Sequence, residues 1–138
     1  MNGMIAAIST AWGESGISIV RISGKDSRDL VDGFFRGGIP LGETPPRFMR
    51  NGFILDPDGA EIDQVLAVWF REPKSYTGEE MAEIHCHGGT VAARRCLERC
   101  LSLGARMALP GEFTRRAFMN GRIDLAQAES VLGIIRAR

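Results

Sequence analysis

Apolar positions along the chain follow two periods, and the switches between them mark out the elements. Alternating or continuous short apolar runs predict strands over residues 4–9 and 17–22, the second interrupted only by Ser18 and the terminal Arg21. Between them, Trp12-Gly13-Glu14-Ser15-Gly16 reads as a glycine-punctuated turn. After Ser23-Gly24, Asp26 or Ser27 is placed to cap a helix that buries Leu30, Val31, Phe34 and Phe35 and ends at Gly37-Gly38. Residues 39–47 carry three prolines and form a loop. Strands over 48–55 and 61–70 flank Asp56-Pro57-Asp58-Gly59, a hairpin turn signal. Residues 71–80 are polar and turn-like, 81–87 a strand, and Gly88-Gly89 open a helix over 90–103 that Gly104 stops. A short strand over 105–109 follows, then a helix over 112–119 after Pro110-Gly111 and before Asn120-Gly121. Asp124 and Gln127 form a capping-box pair ahead of Leu125, Ala128, Val131, Leu132 and Ile135, an amphipathic helix still running at Arg138, so further chain is expected beyond it. Irregular alternation around a central hairpin predicts an α+β fold, a mixed sheet with helices.

At 138 residues, 44% hydrophobic and 25% charged, the chain has the size and composition of one folded domain. The first residues lack a basic segment followed by an apolar one, and no apolar run reaches bilayer length, so a cytoplasmic protein without a membrane partner is expected. Net charge is zero, which removes a global basic field, but the distribution is uneven. Eight acids between residues 51 and 90 face only Arg71 and Lys74, whereas nine arginines from residue 91 onward face Glu98, Glu112, Asp124 and Glu129. The two halves either attract each other, on folding or across a dimer, or the basic part meets nucleic acid. Three cysteines do not suit a disulfide framework, and the spacing of Cys96 and Cys100 is that of a helix core.

Candidate chemistry concentrates on Met81-Ala82-Glu83-Ile84-His85-Cys86-His87. Alternation sends Ala82, Ile84 and Cys86 to the core and gathers Glu83, His85 and His87 on the opposite face, just before a helix start. Four readings stay open: the solvent face of an edge strand; a zinc or iron site using both histidines; a nucleophilic Cys86, which the pleat points away from them; and Glu83 as a paired acceptor for an aminopyrimidine such as the pterin of folate. In the block from Pro110 to Leu125, Phe113, Ala117 and Phe118 have core spacing, and Arg115 and Arg116 read as solvated. Arg122 lies in a short exposed link where an anion-directed guanidinium fits, and Arg21 at a strand end is similar; a structural ion pair is the plainer role for each. No Gly-x-x-x-x-Gly-Lys-Ser/Thr sequence occurs, so this chain holds no phosphate-cradling P-loop.

Five blocks together carry a family resemblance: Ile5 to Thr10, Gly16 to Gly24, Ser75-Tyr76-Thr77-Gly78-Glu79, Glu83 to Gly89, and Pro110 to Leu125. In order and spacing they resemble the amino-terminal domain of the MnmE/TrmE tRNA-modification GTPases. The resemblance implies a fold like the tetrahydrofolate-binding domain of aminomethyltransferases, over residues 1–121, that pairs with a second copy and holds 5-formyltetrahydrofolate or 5,10-methylenetetrahydrofolate as a one-carbon source. It implies that Arg21, Glu83 and Arg122 contact the folate, with Arg122 standing where a form of the family has lysine. It implies that residues 122–138 begin a helical domain carrying an inserted GTPase domain, to which GTP, magnesium and potassium belong. An FAD-dependent MnmG/GidA-type partner protein and the wobble uridine of certain tRNAs, converted to its 5-carboxymethylaminomethyl or aminomethyl form, complete the expectation. A free-standing folate-dependent one-carbon enzyme and a ligand-free dimerisation module are the alternatives.

Overall fold

A computed structural model describes residues 3–9 and 16–136. The elements run β1 (Ile5–Ile8), β2 (Ser18–Ser23), α1 (Ser27–Asp32), β3 (Phe35–Gly37), a single 3-10 turn (Leu41–Glu43), β4 (Arg50–Leu55), β5 (Glu61–Phe70), β6 (Met81–Cys86), α2 (Gly89–Ser102), β7 (Arg106–Met107), α3 (Glu112–Met119) and α4 (Leu125–Arg136). The turn expected at residues 12–16 lies outside the described residues, apart from Gly16. The strands form one seven-stranded sheet in the order β3-β4-β5-β6-β2-β1-β7. Every pairing is antiparallel except β1 with β7, so the sheet is mixed and the fold α+β. Helices α1 and α2 pack on one face. Between them and the sheet lies the core of Val20, Ile22, Phe34, Ile54, Val65, Ala67, Trp69, Ala82 and Ile84.

Most elements follow the hydrophobic pattern, and the first helix does not. Phe34 and Phe35 are buried as the periodicity requires, but α1 stops at Asp32 and Phe35 begins an edge strand paired with Ile54. A pair of adjacent aromatics suits a helix or a strand; the partner strand β4, far along the chain, decides between them. The carboxylate of Asp32 is thereby freed to accept from the backbone N–H groups of Leu41 and Gly42, 2.8 Å each, fixing the 3-10 turn. The strand expected over 105–109 shortens to Arg106–Met107, paired with Ile5 and Ala6, and the N–H of Ala108 makes one more bond to the carbonyl of Ala6 (2.9 Å).

Helix ends divide between local and distant caps. Asp124 and Gln127 make both bonds of the capping box, at 2.8 and 2.9 Å. At α1, Asp26 takes a left-handed conformation and its side chain caps nothing. There the carboxylate of Glu80, more than fifty residues away, accepts from the backbone N–H of Arg28 (2.9 Å) and the Ser27 hydroxyl (3.4 Å). The start of α2 is filled likewise: Asp63 accepts from the N–H groups of His87 and Gly88, so the Gly-Gly helix start holds one of the chain's own carboxylates.

The expected attraction between acidic middle and basic tail is realised within the chain, as Asp56–Arg95 at 3.7 Å and Glu79–Arg116 at 3.0 Å. Arg116, expected to be solvated, is 1% exposed. Its guanidinium donates to Glu79, to the carbonyl of Gly3 and, at 3.5 Å, to Glu112. Glu112 also receives both terminal nitrogens of Arg106 and the N–H of Leu109. Helical periodicity reports only which way a side chain points. It does not report that the segment before β1, the 75–80 turn and α3 converge on this one.

The hydrogen bonds from Arg106 hold Glu112 down, from an ordinary value near 4.5 to about 2, against the burial that raises it. A carboxyl depressed on folding stabilises the fold fully above its unfolded value and loses that contribution as pH falls from near 4.5 towards 2. Arg106 is nearly half exposed, so solvent screening limits the contribution to about 1–2 kcal/mol. Urea unfolding at about pH 6 and about pH 3 is expected to show wild type losing more stability than Glu112→Gln by that amount. Equal losses would mean that the pair contributes nothing.

Candidate ligand-binding site

The face of the sheet opposite α1 and α2 carries the polar residues of β2 and β6. Antiparallel register sets Arg21 directly across from Glu83, and Ile19 across from His85. Core-side Ala82, Ile84 and Cys86 are fully buried, as alternation requires. β6 lies between β5 and β2, so the reading of an edge strand is corrected: Glu83 stands in mid-sheet, held on both sides. Alternation alone cannot separate the two cases, because central and edge strands share one period.

Both Nε and Nη2 of Arg21 approach Oε2 of Glu83, at 3.1 and 3.0 Å, while Nε2 of His85 lies 3.1 Å from Oε1. Burial pushes the Glu83 carboxyl up, but the His85 hydrogen bond and the Arg21 charge outweigh it and hold the group below its ordinary value. It is therefore an anion; Oε2 already meets both Arg21 nitrogens, while Oε1, which meets only His85, keeps a second lone pair for another donor. The Arg21 guanidinium lies between two rings, with Cζ 5.3 Å from the centroid of Tyr76 and 5.8 Å from that of Phe113. The Tyr76 hydroxyl shares a 2.8 Å hydrogen bond with the Thr114 hydroxyl, which joins the turn after β5 to α3.

Arg122 belongs to the same assembly at one remove. Its Nε donates to the carbonyl of Ser75 (3.0 Å), and Asn120 donates to the carbonyl of Thr77 (2.8 Å). A Cβ added at Gly78 would come within 2.8 Å of Asn120 Cβ and 3.1 Å of Arg122 Cγ; with φ at +81°, only glycine fits that approach. Arg122 thus holds the turn that presents Tyr76 to Arg21, and among the described residues its two terminal nitrogens meet no hydrogen-bond partner. Of the three residues singled out in sequence, Arg21 and Glu83 come together and Arg122 joins through residues 75–78. Tyr76 and Phe113 were not anticipated as part of the site. An aromatic side chain in an otherwise polar turn was the available signal for Tyr76; Phe113 gave none beyond core spacing.

The histidines turn to separate partners. His85 meets Glu83, whereas Nδ1 of His87 lies 3.0 Å from the carbonyl of Gln64. Among the described residues, no three His, Cys, Asp or Glu side chains are arranged to hold a metal ion. Cys86 is buried on the core side with Cys96 and Cys100, away from the histidine face, so it is no nucleophile for that site. Contact with the Cys100 and Cys86 thiols, with burial, pushes the Cys96 thiol well up. Two clefts lie elsewhere, one between Asp56, Ile62 and α2 and one between Met4, α1 and Leu103; Glu83 lines neither. Among the described residues, no helix is long and apolar enough to cross a membrane.

Comparison with known proteins identifies the family. A family model described as GTP-binding protein TrmE N-terminus matches residues 4–122. The tRNA modification GTPase MnmE of Symbiobacterium thermophilum is 53% identical over 136 residues, which is 97% of this chain and 30% of that protein. That of Carboxydothermus hydrogenoformans is 52% identical over 141 residues, covering 100% of this chain and 31% of the relative, and that of Roseiflexus sp. is 53% identical over 97% and 29%. The chain spans about 30% of the length of these relatives. All five sequence blocks lie within or across the matched region, and the chain belongs to the TrmE family, to the amino-terminal region that its model describes.

Proposed function

We propose that this chain is the reduced-folate-holding and self-pairing part of a GTPase that modifies the wobble uridine of tRNA. The observation that carries the folate reading is the Glu83 carboxylate, anionic and aligned by Arg21 and His85 on a rigid mid-sheet strand. A pterin edge offers a ring N–H beside an exocyclic amine, a pair of donors that the two oxygens of one carboxylate accept together once Arg21 yields one of its two contacts on Oε2. Tyr76 and Phe113 flank Arg21 beside that carboxylate, and the guanidinium groups of Arg21 and Arg122 suit the ligand's carbonyl and carboxylate oxygens. The folate supplies a one-carbon unit; the chain's residues bind, orient and keep the acceptor carboxylate charged.

Self-pairing is supported by apolar side chains that remain exposed around β7, α3 and α4: Met107, Leu109, Phe118, Met119 and Leu125. The GTP, magnesium and potassium sites, the FAD-dependent MnmG/GidA-type partner and the tRNA chemistry belong, in this reading, to the whole protein. Isothermal titration with 5-formyltetrahydrofolate is expected to give saturable binding that Glu83→Ala weakens at least about 100-fold, since two charge-assisted hydrogen bonds are lost. Unchanged affinity in that variant would remove Glu83 from the site, and with it the proposal.

A further inference from the structure

Arg28, Arg47, Arg50 and Arg71 come from α1, the loop before β4, the start of β4 and the turn after β5, and Trp69 and its partner Thr44 link all four. Arg28 Cζ lies 4.8 Å and Arg71 Cζ 5.4 Å from the centroid of the Trp69 ring, and Arg50 Cζ lies 4.6 Å from that of Phe48. Thr44 ties the group: its carbonyl accepts from the Trp69 indole N–H (2.8 Å) and its hydroxyl from Arg50 Nε (2.9 Å). The backbone N–H of Arg47 donates to the carbonyl of Trp69 (2.8 Å), with Arg47 itself at φ +68°.

We propose that this arginine–aromatic surface binds the phosphate backbone of an RNA strand. Three observations favour that occupant. Arg36, Arg95 and Arg106 each face a carboxylate, whereas among the described residues Arg47, Arg50 and Arg71 pair with none, and Arg28 reaches only Asp29. A guanidinium stacked on a ring keeps its in-plane N–H donors, and their fork matches phosphate oxygens. Phe48 is 51% exposed beside them, a ring face on which a base can stack. Two exposed acids, Glu43 and Glu72, stand in the same loops, so the surface contacts a few phosphates and does not act as a broad polyanion field. The inference rests on the tRNA part of the proposed function and is independent of the folate part.

Fluorescence anisotropy of labelled tRNA with this chain tests it. Four phosphate contacts predict a loss of about 50- to 150-fold in wild-type affinity between about 50 and about 200 mM salt. The double variant Arg47→Ala/Arg71→Ala, checked for folding by circular dichroism, is expected to bind more weakly at low salt and to lose only about 10-fold over that range. Arg94→Ala/Arg115→Ala, which removes two exposed arginines elsewhere, is expected to match wild type. The proposal is overturned if both doubles lose affinity equally, if the first binds as wild type does, or if wild type binds no tRNA. Equal binding by the first double places RNA on another surface and leaves the tRNA reading standing. That reading fails separately if nucleoside mass spectrometry finds the wobble uridines unchanged when the parent gene is removed.

Discussion

Arg116→Leu is expected to lower unfolding stability by about 3–5 kcal/mol and the melting temperature by about 10–20 °C, without direct contact to the candidate site. The substitution keeps bulk and removes a charge that is 1% exposed. Among the described residues, the Glu79 carboxylate then keeps the Ser23 hydroxyl as its hydrogen-bond donor while part-buried, and Gly3 loses the guanidinium donor to its carbonyl. Glu112 keeps Arg106, so the cost falls mainly on Glu79. Most of the cost of breaking a buried pair is the stranded partner, so Arg116→Leu with Glu79→Met is expected to recover stability relative to the single variant. Urea titration of the two variants measures this. A single-variant loss under about 1 kcal/mol would show that the network is solvated and not structural.

Glu83→Gln is expected to bind folate no better than Glu83→Ala, within about threefold, although it keeps the side chain's shape. An amide offers one acceptor and one NH2 donor where the carboxylate offers two acceptors. Against a ring N–H beside an exocyclic amine, one of the two meetings becomes donor to donor. The change also removes the charge opposite Arg21, but that guanidinium stays part-exposed between Tyr76 and Phe113, so the melting temperature is expected to move little compared with the Arg116 variant. Calorimetric titration beside a thermal melt separates the two effects. Near-wild-type affinity in Glu83→Gln would rule out paired acceptance by this residue.

These two variants divide along what a sequence can report. Glu83 was visible because strand alternation is local: a polar residue between Ala82 and Ile84 must face away from the core wherever the strand lies. Arg116 was misread because helical position reveals direction and not what arrives from elsewhere. Tyr76 and Phe113 escaped for the same reason, as their relation to Arg21 exists only once the turn after β5 meets α3.

By itself, the sequence determined the periodic elements, the α+β class, the capping box at Asp124 and the family, since each depends on neighbouring residues or on several blocks in order. Tertiary structure decided that Phe35 is in a strand, that Glu80 caps α1, and that β6 is central. It also decided which guanidinium groups are buried, stacked or left without a carboxylate. Those outcomes join segments tens of residues apart, and no local period encodes which distant group will satisfy a given donor or charge.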